Sequence, residues 1–255
     1  MRNLAVKIQF IGKNYHGFQR QDNAVSVQGE IEEALFKILG EKISIIGCSR
    51  TDTGVSAKEY VFNFKTNSDI TPFKLMGALN YYLSEDIGVL DAVEVEENFH
   101  ARYSCVKKEY IYIIRNARGR SPFVNNTALS YMISELDAES LNCEAQDLVG
   151  TYDFSSFCSL HDSAKSHIRT IYSAEVKREG ENVIFKFCAD GFLYNMVRIM
   201  VGTLLFINEG KINKGQIKNI IEAKNRKCAG ATAEGVGLIL NRVYYQNEIF
   251  KEGEN

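Results

Sequence analysis

Apolar and polar residues alternate near the start of the chain, with Leu4, Val6, Ile8 and Phe10 on one side of an extended run and Lys7 and Gln9 on the other. The period then lengthens. Val27, Ile31, Ala34, Leu35 and Ile38 recur at helical spacing behind Ser26, a natural N-cap, and Gly40 closes the run. Residues 43–46 read as a buried strand. A polar, glycine-bearing turn over 49–56 separates them from a second alternating run, Tyr60-Val61-Phe62-Asn63-Phe64. Thr71-Pro72 pairs a cap with a proline at the first helical position and opens a helix to about Tyr81. Strands are predicted over 87–95 and 109–114, the latter marked by Tyr110 and Tyr112 among β-branched neighbours. Further on come a helix over 137–148, a serine-rich loop, strands over 170–177 and 182–188, and a turn at Asp190-Gly191. Helices over 194–207 and 214–223 and a closing strand over 237–245 complete the pattern. Both halves mix strands with helices, so the pattern predicts an α+β chain in two associated halves, 1–102 and 103–255, with the boundary in residues 99–103.

Composition adds little to that picture. At 255 residues, 45% hydrophobic and 24% charged, the chain has the make-up of a folded globular protein, and two prolines leave no room for a long proline-rich linker. No basic segment followed by an apolar stretch marks a secretory signal near Met1. The longest apolar region, residues 192–207, contains Asn195, Arg198 and Thr203 and is too short to span a bilayer. The six cysteines form no C-x-x-C pair and the four histidines no H-x-x-x-H pattern. Free thiols in the cytoplasm are therefore expected, with no metal site. The net charge of −2 argues against a nucleic-acid partner, but its distribution argues otherwise. Arg102, Lys107, Lys108, Arg115, Arg118 and Arg120 face only Glu109 between residues 100 and 120. A second stretch carries Lys165, Arg169, Lys177 and Arg178 with His161 and His167. Such segregation suits a basic cleft on an acidic body; it also suits charges scattered over solvated strand faces.

Three residues carry candidate chemistry. Asp52 sits in Gly47-Cys48-Ser49-Arg50-Thr51-Asp52-Thr53-Gly54-Val55, a turn between two strands that would hold one carboxylate rigidly at a sheet edge. The same segment suits a plain turn, where aspartate caps. Asp52-Thr53-Gly54 also matches the aspartic protease signature, but those enzymes need two carboxylates sharing a proton, and no second D-T-G or D-S-G occurs. Arg198 is the one charged residue of 192–207; buried there, it would need a carboxylate, and beside Asp52 it would hold that carboxylate ionised for nucleophilic work. Alternatively, Arg198 snorkels with only its stem buried. Tyr110, among Lys107, Lys108 and Tyr112, is placed either to stack on a displaced base or simply to fill the core.

Taken in order, several segments resemble the TruA family of tRNA pseudouridine synthases. They are Tyr15-His16-Gly17-Phe18-Gln19-Arg20-Gln21, Ser26-Val27-Gln28, Cys48 to Ala57, Phe99-His100-Ala101-Arg102-Tyr103-Ser104, and Lys108-Glu109-Tyr110-Ile111-Tyr112. Asp153-Phe154-Ser155-Ser156-Phe157, Arg169-Thr170-Ile171, Gly191 to Arg198 and Gly230-Ala231-Thr232-Ala233 follow. The resemblance implies the pseudouridine synthase fold, with two similar α+β halves of mainly antiparallel sheet joined in one extended sheet around a central RNA-binding cleft. It further implies a homodimer. Asp52 matches the family's catalytic aspartate, Arg198 the basic residue paired with it, Tyr110 the tyrosine that stacks on uracil, and Arg50 an arginine that assists base extrusion. The chain departs from the family pattern at Thr53, Ser56 and Glu109.

The expected activity is isomerisation of uridine to pseudouridine in the anticodon stem-loop of tRNA, without cofactor or metal, because product and substrate are isomers. The partner is tRNA rather than a membrane, and the setting cytoplasmic. Expected RNA contacts are Gln19, Arg20, His100, Arg102, Lys107, Lys108, Lys165 and Arg169. A pseudouridine synthase acting on another RNA, and a non-catalytic RNA-binding protein of the same fold, are the competing readings.

Overall fold

The structure, a computed structural model, describes residues 1–119, 121–122, 126–160 and 164–250, so Arg120 and His161 of the two basic stretches lie outside the described residues. In chain order the elements begin β1 (Arg2–Phe10), α1 (Val27–Leu39), β2 (Ile46–Gly47), β3 (Ser56–Thr66), α2 (Pro72–Tyr82) and β4 (Ile87–Val95). Next are β5 (Cys105–Arg115), β6 (Leu129–Ser130), α3 (Ala138–Gln146), β7 (Gly150–Asp153), β8 (Ile168–Glu179) and β9 (Asn182–Ala189). Helices α4 (Met196–Asn208) and α5 (Ile217–Ala223) precede the last strand, β10 (Leu238–Tyr245). The fold class is α+β. The chain forms two compact units: Met1–Val106 together with Leu240–Asn255, and Lys107–Ile239. The first unit thus contains the end of the chain as well as its beginning.

In the first unit the strands run in the order β4-β1-β3-β10, with β2 added to β3. β1 lies antiparallel to both neighbours, pairing Val6 with Phe62 and Ile8 with Tyr60 on β3. This register gathers Leu4, Val6, Ile8, Tyr60, Phe62 and Phe64 on one face, all fully buried or nearly so. Burying each aromatic ring there contributes roughly 1.5–3 kcal/mol. Helix α1 starts where Ser26 accepts the Gly29 N–H at 3.2 Å and stops at Gly40, whose φ of 69° ends the helix in the left-handed conformation.

A buried amide pair ties the opposite face together. Asn63 Nδ2 donates to Asn3 Oδ1 at 2.9 Å, while Asn63 Oδ1 accepts the Ala101 N–H at 2.8 Å. Asn3 Nδ2 donates to the carbonyls of Glu96 and Phe99 at 2.9 and 3.0 Å. Replacing Asn63 by alanine orphans the Ala101 N–H and the Asn3 carbonyl oxygen, both in a dry setting. The expected cost is about 2–4 kcal/mol of stability, read as a lowered urea midpoint.

The second unit repeats the antiparallel style, in the order β5-β9-β8-β7, with β6 parallel to β5. Tyr110 pairs with Phe187 and Tyr112 with Phe185, and β8 sets Ala174 and Val176 beside the same two phenylalanines. Helix α3 packs on β8 and α4 on α3.

Several expected elements differ in extent, some of them for an identifiable reason. The strand expected over 43–46 shrinks to Ile46–Gly47 because side chains of α1 take the Ile45 backbone. Glu32 Oε1 accepts its N–H at 3.2 Å and Gln28 Nε2 donates to its carbonyl at 3.4 Å. Helix α5 begins at Ile217 rather than 214, since Gly215 adopts φ 73°. Helix α4 begins at Met196 rather than 194, because Asn195 is left-handed, with φ 60° and ψ 9°. Strand β7 lies where a loop was expected after the helix over 137–148.

Candidate active site

The Asp52 turn is built almost entirely from backbone. Val55 N–H donates to Asp52 O at 3.2 Å, Gly54 N–H to Tyr15 O at 3.3 Å and Phe18 N–H to Thr51 O at 3.4 Å. Gly54 has φ 80°, open to glycine at little cost. The segment Gly12–Phe18 braces this turn from behind. A Cβ on Gly17 would stand 2.2 Å from Thr51 O, and one on Gly12 would stand 2.0 Å from Val55 O. Below lies an aromatic floor: the Tyr60 ring stacks on Phe18 at 4.2 Å and its hydroxyl donates to Ser49 O. The backbone on both sides of Asp52 is thus held in place, and Asp52 itself is half-buried, while Arg50 is exposed two residues earlier.

Ser56, one of the departures noted above, is buried and its Oγ accepts the Gly12 N–H at 3.0 Å. It belongs to the bracing of the turn.

In the second unit Tyr110 is 6% exposed and meets Phe192 edge-on, with ring centroids 5.1 Å apart and planes at 84°. That contact fixes the plane of the Tyr110 ring. Tyr112, two residues along on the same face, is fully buried and donates its hydroxyl hydrogen to Glu234 O at 2.8 Å. Burial pushes the Tyr112 phenol well above its ordinary range, against the opposing pull of the Arg198 charge. Tyr112 is thus a core residue and Tyr110 the one nearer the surface.

Arg198 is neither deeply buried nor snorkelling freely. Its Nε donates to Ala233 O at 2.7 Å and its Nη1 to Asn195 Oδ1 at 2.6 Å. The loop that supplies Ala233 is itself pinned on α4. Ala233 N–H donates to Arg198 O at 3.1 Å, and Gly230 N–H to Thr203 Oγ1 at 2.9 Å. At Gly202 a Cβ would stand 1.7 Å from Ala231 O. Arg226 holds the far side of the loop, donating to Gly230 O at 2.9 Å and to Thr232 Oγ1 at 3.1 Å. The Gly230-Ala231-Thr232-Ala233 segment is therefore a mount for the guanidinium.

The other expected RNA contacts differ in what they already touch. Gln19, Arg102 and Lys165 are exposed, and Lys108 is half-buried on the Tyr110 side of β5. Arg20 is exposed as well, yet it forms an ion pair with Glu32 at 3.0 Å. His100 and Arg169 serve their own backbone. His100 Nδ1 accepts the N–H groups of Arg102 and Tyr103 at 3.2 Å each, and Arg169 Nη1 donates to Ser166 O and Ile168 O. Lys107 lies over the Tyr172 ring at 6.0 Å. Glu109, the acidic departure on β5, is buried and paired with Lys186 at 3.0 Å, so its charge is neutralised within the sheet. Asp190 is exposed and accepts the Thr170 N–H at 3.1 Å. Among the described residues no cluster of histidine, cysteine, aspartate or glutamate has the spacing to hold a metal ion.

Reading the sequence did not single out Asn195, Tyr60 or Arg226. The three-residue spacing of Asn195 and Arg198 was a signal for the first; nothing in the local pattern marks the other two.

Comparison with known proteins supplies what geometry leaves open. A family model described as tRNA pseudouridine synthase matches residues 6–104 and 145–246. Asp52 falls in the first block and Arg198 in the second, while Tyr110 lies between them. The tRNA pseudouridine synthase A of Acetivibrio thermocellus is 46% identical over 246 residues, and that of Thermoanaerobacter pseudethanolicus 44% identical over 247, each alignment covering 96% of this chain and 100% of the relative. A protein of Clostridium perfringens, tRNA pseudouridine synthase A 2, is 40% identical over 245 residues, with the same coverage. Among solved structures, a chain of a Cbf5-Nop10-Gar1 complex superposes at a TM-score of 0.37 with 13% identity, covering 94% of this chain and 59% of that one, too distant a likeness to bear on function.

Proposed function

This chain belongs to the tRNA pseudouridine synthase family, and from that premise we propose that it isomerises uridine to pseudouridine in the anticodon stem-loop of tRNA, with Asp52 as the catalytic carboxylate. The observation that carries the reading is the braced turn. One half-buried carboxylate stands on a turn held by backbone hydrogen bonds and by the close approach of Gly12 and Gly17.

The target uridine first leaves its stack, which costs a few kcal/mol. Exposed basic residues such as Arg102 and Lys165 take up phosphates and fix register. Arg50 fills the space the base leaves, and Tyr110, its plane set by Phe192, holds the extruded uracil by stacking, worth roughly 1–3 kcal/mol. Asp52 then acts at the ribose, by attack on C1′ or by removal of a ribose proton, with Arg198 as its cationic partner. The C1′–N1 bond breaks, the uracil turns, C5 bonds to C1′, and the C5 proton is lost while N1 gains one. Atoms and electrons balance within the nucleotide, so the reaction needs no redox partner or group donor.

Along the chain we read residues 1–102 as carrying the carboxylate and 103–255 the stacking ring and the guanidinium, with the strand that ends at Tyr245 returning to support the first unit. We further propose a homodimer working in the cytoplasm on tRNA. No helix among the described residues is long and apolar enough to cross a membrane.

Incubating the purified chain with uridine-containing tRNA transcripts and mapping pseudouridine chemically tests the reading. Modification in the anticodon stem-loop is expected. Binding without product would favour a non-catalytic RNA-binding protein, and product only in another RNA would move the substrate class.

A further inference from the structure

We propose that Asn195 is a positioning residue for this reaction, fixing the direction of the Arg198 guanidinium; the inference rests on the role given to Arg198 above.

Asn195 is one of two non-glycine residues with positive φ among those described. Glycine would take that conformation without strain, so the backbone alone does not account for asparagine here. Both ends of its carboxamide are occupied. Arginine offers only donors, so the oxygen must face Arg198 and the NH2 must face away. Nδ2 accordingly donates to Ser159 Oγ at 2.9 Å, and Ser159 in turn is anchored by its N–H on Tyr194 O at 3.1 Å.

Within its unit two bonds orient the guanidinium, Nε to Ala233 O and Nη1 to Asn195 Oδ1. With the second removed, one restraint on its direction is lost, and a flexible side chain regains rotamers that do not serve the reaction. The left-handed turn matters because it aims the carboxamide back at a residue one helical turn ahead. A helical residue at 195 would continue α4 instead of capping it.

The test is a double-mutant cycle on the full chain with tRNA as substrate. Asn195→Gly keeps the backbone conformation and deletes only the carboxamide. We expect kcat to fall about 10- to 100-fold, with the KM for tRNA within about 2-fold of wild type. In an Arg198→Met background the same substitution should change kcat by less than about 2-fold, because it acts through the side chain already removed. A wild-type kcat in Asn195→Gly, or a full further loss in the double variant, overturns the proposal. If Asn195→Gly melts far below wild type, Ser159→Ala carries the cycle, since it frees the carboxamide without touching the turn. Its smaller loss of kcat must likewise vanish beside Arg198→Met, and an additive loss overturns the proposal. A wild-type kcat in Arg198→Met alone removes the role of Arg198 itself, and this inference with it, while leaving the Asp52 assignment to its own test.

Discussion

Asp52→Asn is expected to fold normally, bind tRNA with wild-type affinity and form no pseudouridine. The substitution is close to isosteric, and the bonds from Val55, Gly54 and Phe18 across the turn run between backbone groups that asparagine leaves in place. Affinity for tRNA rests mainly on phosphate contacts, which a single change at 52 does not supply or remove. The amide, however, neither attacks C1′ nor takes a ribose proton at a useful rate. Whichever route Asp52 follows, single-turnover formation of pseudouridine should drop at least about 10⁴-fold, the scale seen when a nucleophile or its base is deleted. Turnover near wild type in a variant verified by mass would end the assignment of Asp52. A parallel collapse of folding and activity would show instead that the carboxylate holds the turn together.

Much of the scaffold was legible in the sequence because local chemistry and tertiary packing agree there. Ser26 and Gly40 bound α1, Thr71-Pro72 opens α2, and the strand over 87–95 has the limits found in the structure. Agreement fails where a side chain distant in sequence takes over a backbone group. Glu32 and Gln28 hold Ile45 out of a ladder, something no window around 43–46 contains.

The candidate site divides the same way. Asp52 and Arg198 stand out because a carboxylate in a glycine turn and a lone cation in an apolar helix are locally odd. Their supports do not stand out. Gly12 and Gly17 look like ordinary turn glycines until the structure brings Val55 O and Thr51 O within about a van der Waals radius of where a Cβ would be. Likewise the charge of His100 and Arg169 suggests RNA contacts, while the structure shows that His100 Nδ1 and Arg169 Nη1 also bond nearby backbone. Charge is visible in a sequence; what that charge is already bonded to is not.

Arg198→Met is the second large effect expected, and it separates catalysis from binding. Methionine retains much of the apolar stem and removes the fork. Within its unit the arginine already spends Nε on Ala233 O and Nη1 on Asn195 Oδ1, an arrangement suited to holding a group in one direction rather than to following a mobile phosphate. Loss of the cation should therefore lower kcat by about 10²- to 10³-fold, comparable with deletion of one preorganised electrostatic partner. Two acceptors are left short of a donor, so a stability loss of about 1–3 kcal/mol accompanies it, and activity must be compared below the melting range. The decisive readout is salt dependence. A phosphate contact would be felt as a slope of log Kd against log salt shallower by nearly one. For a residue that works on the carboxylate, the slope and the KM should stay at wild-type values while kcat falls. Equal damage to kcat and to tRNA affinity, with a shallower slope, would make Arg198 an RNA contact and leave Asp52 without its proposed partner.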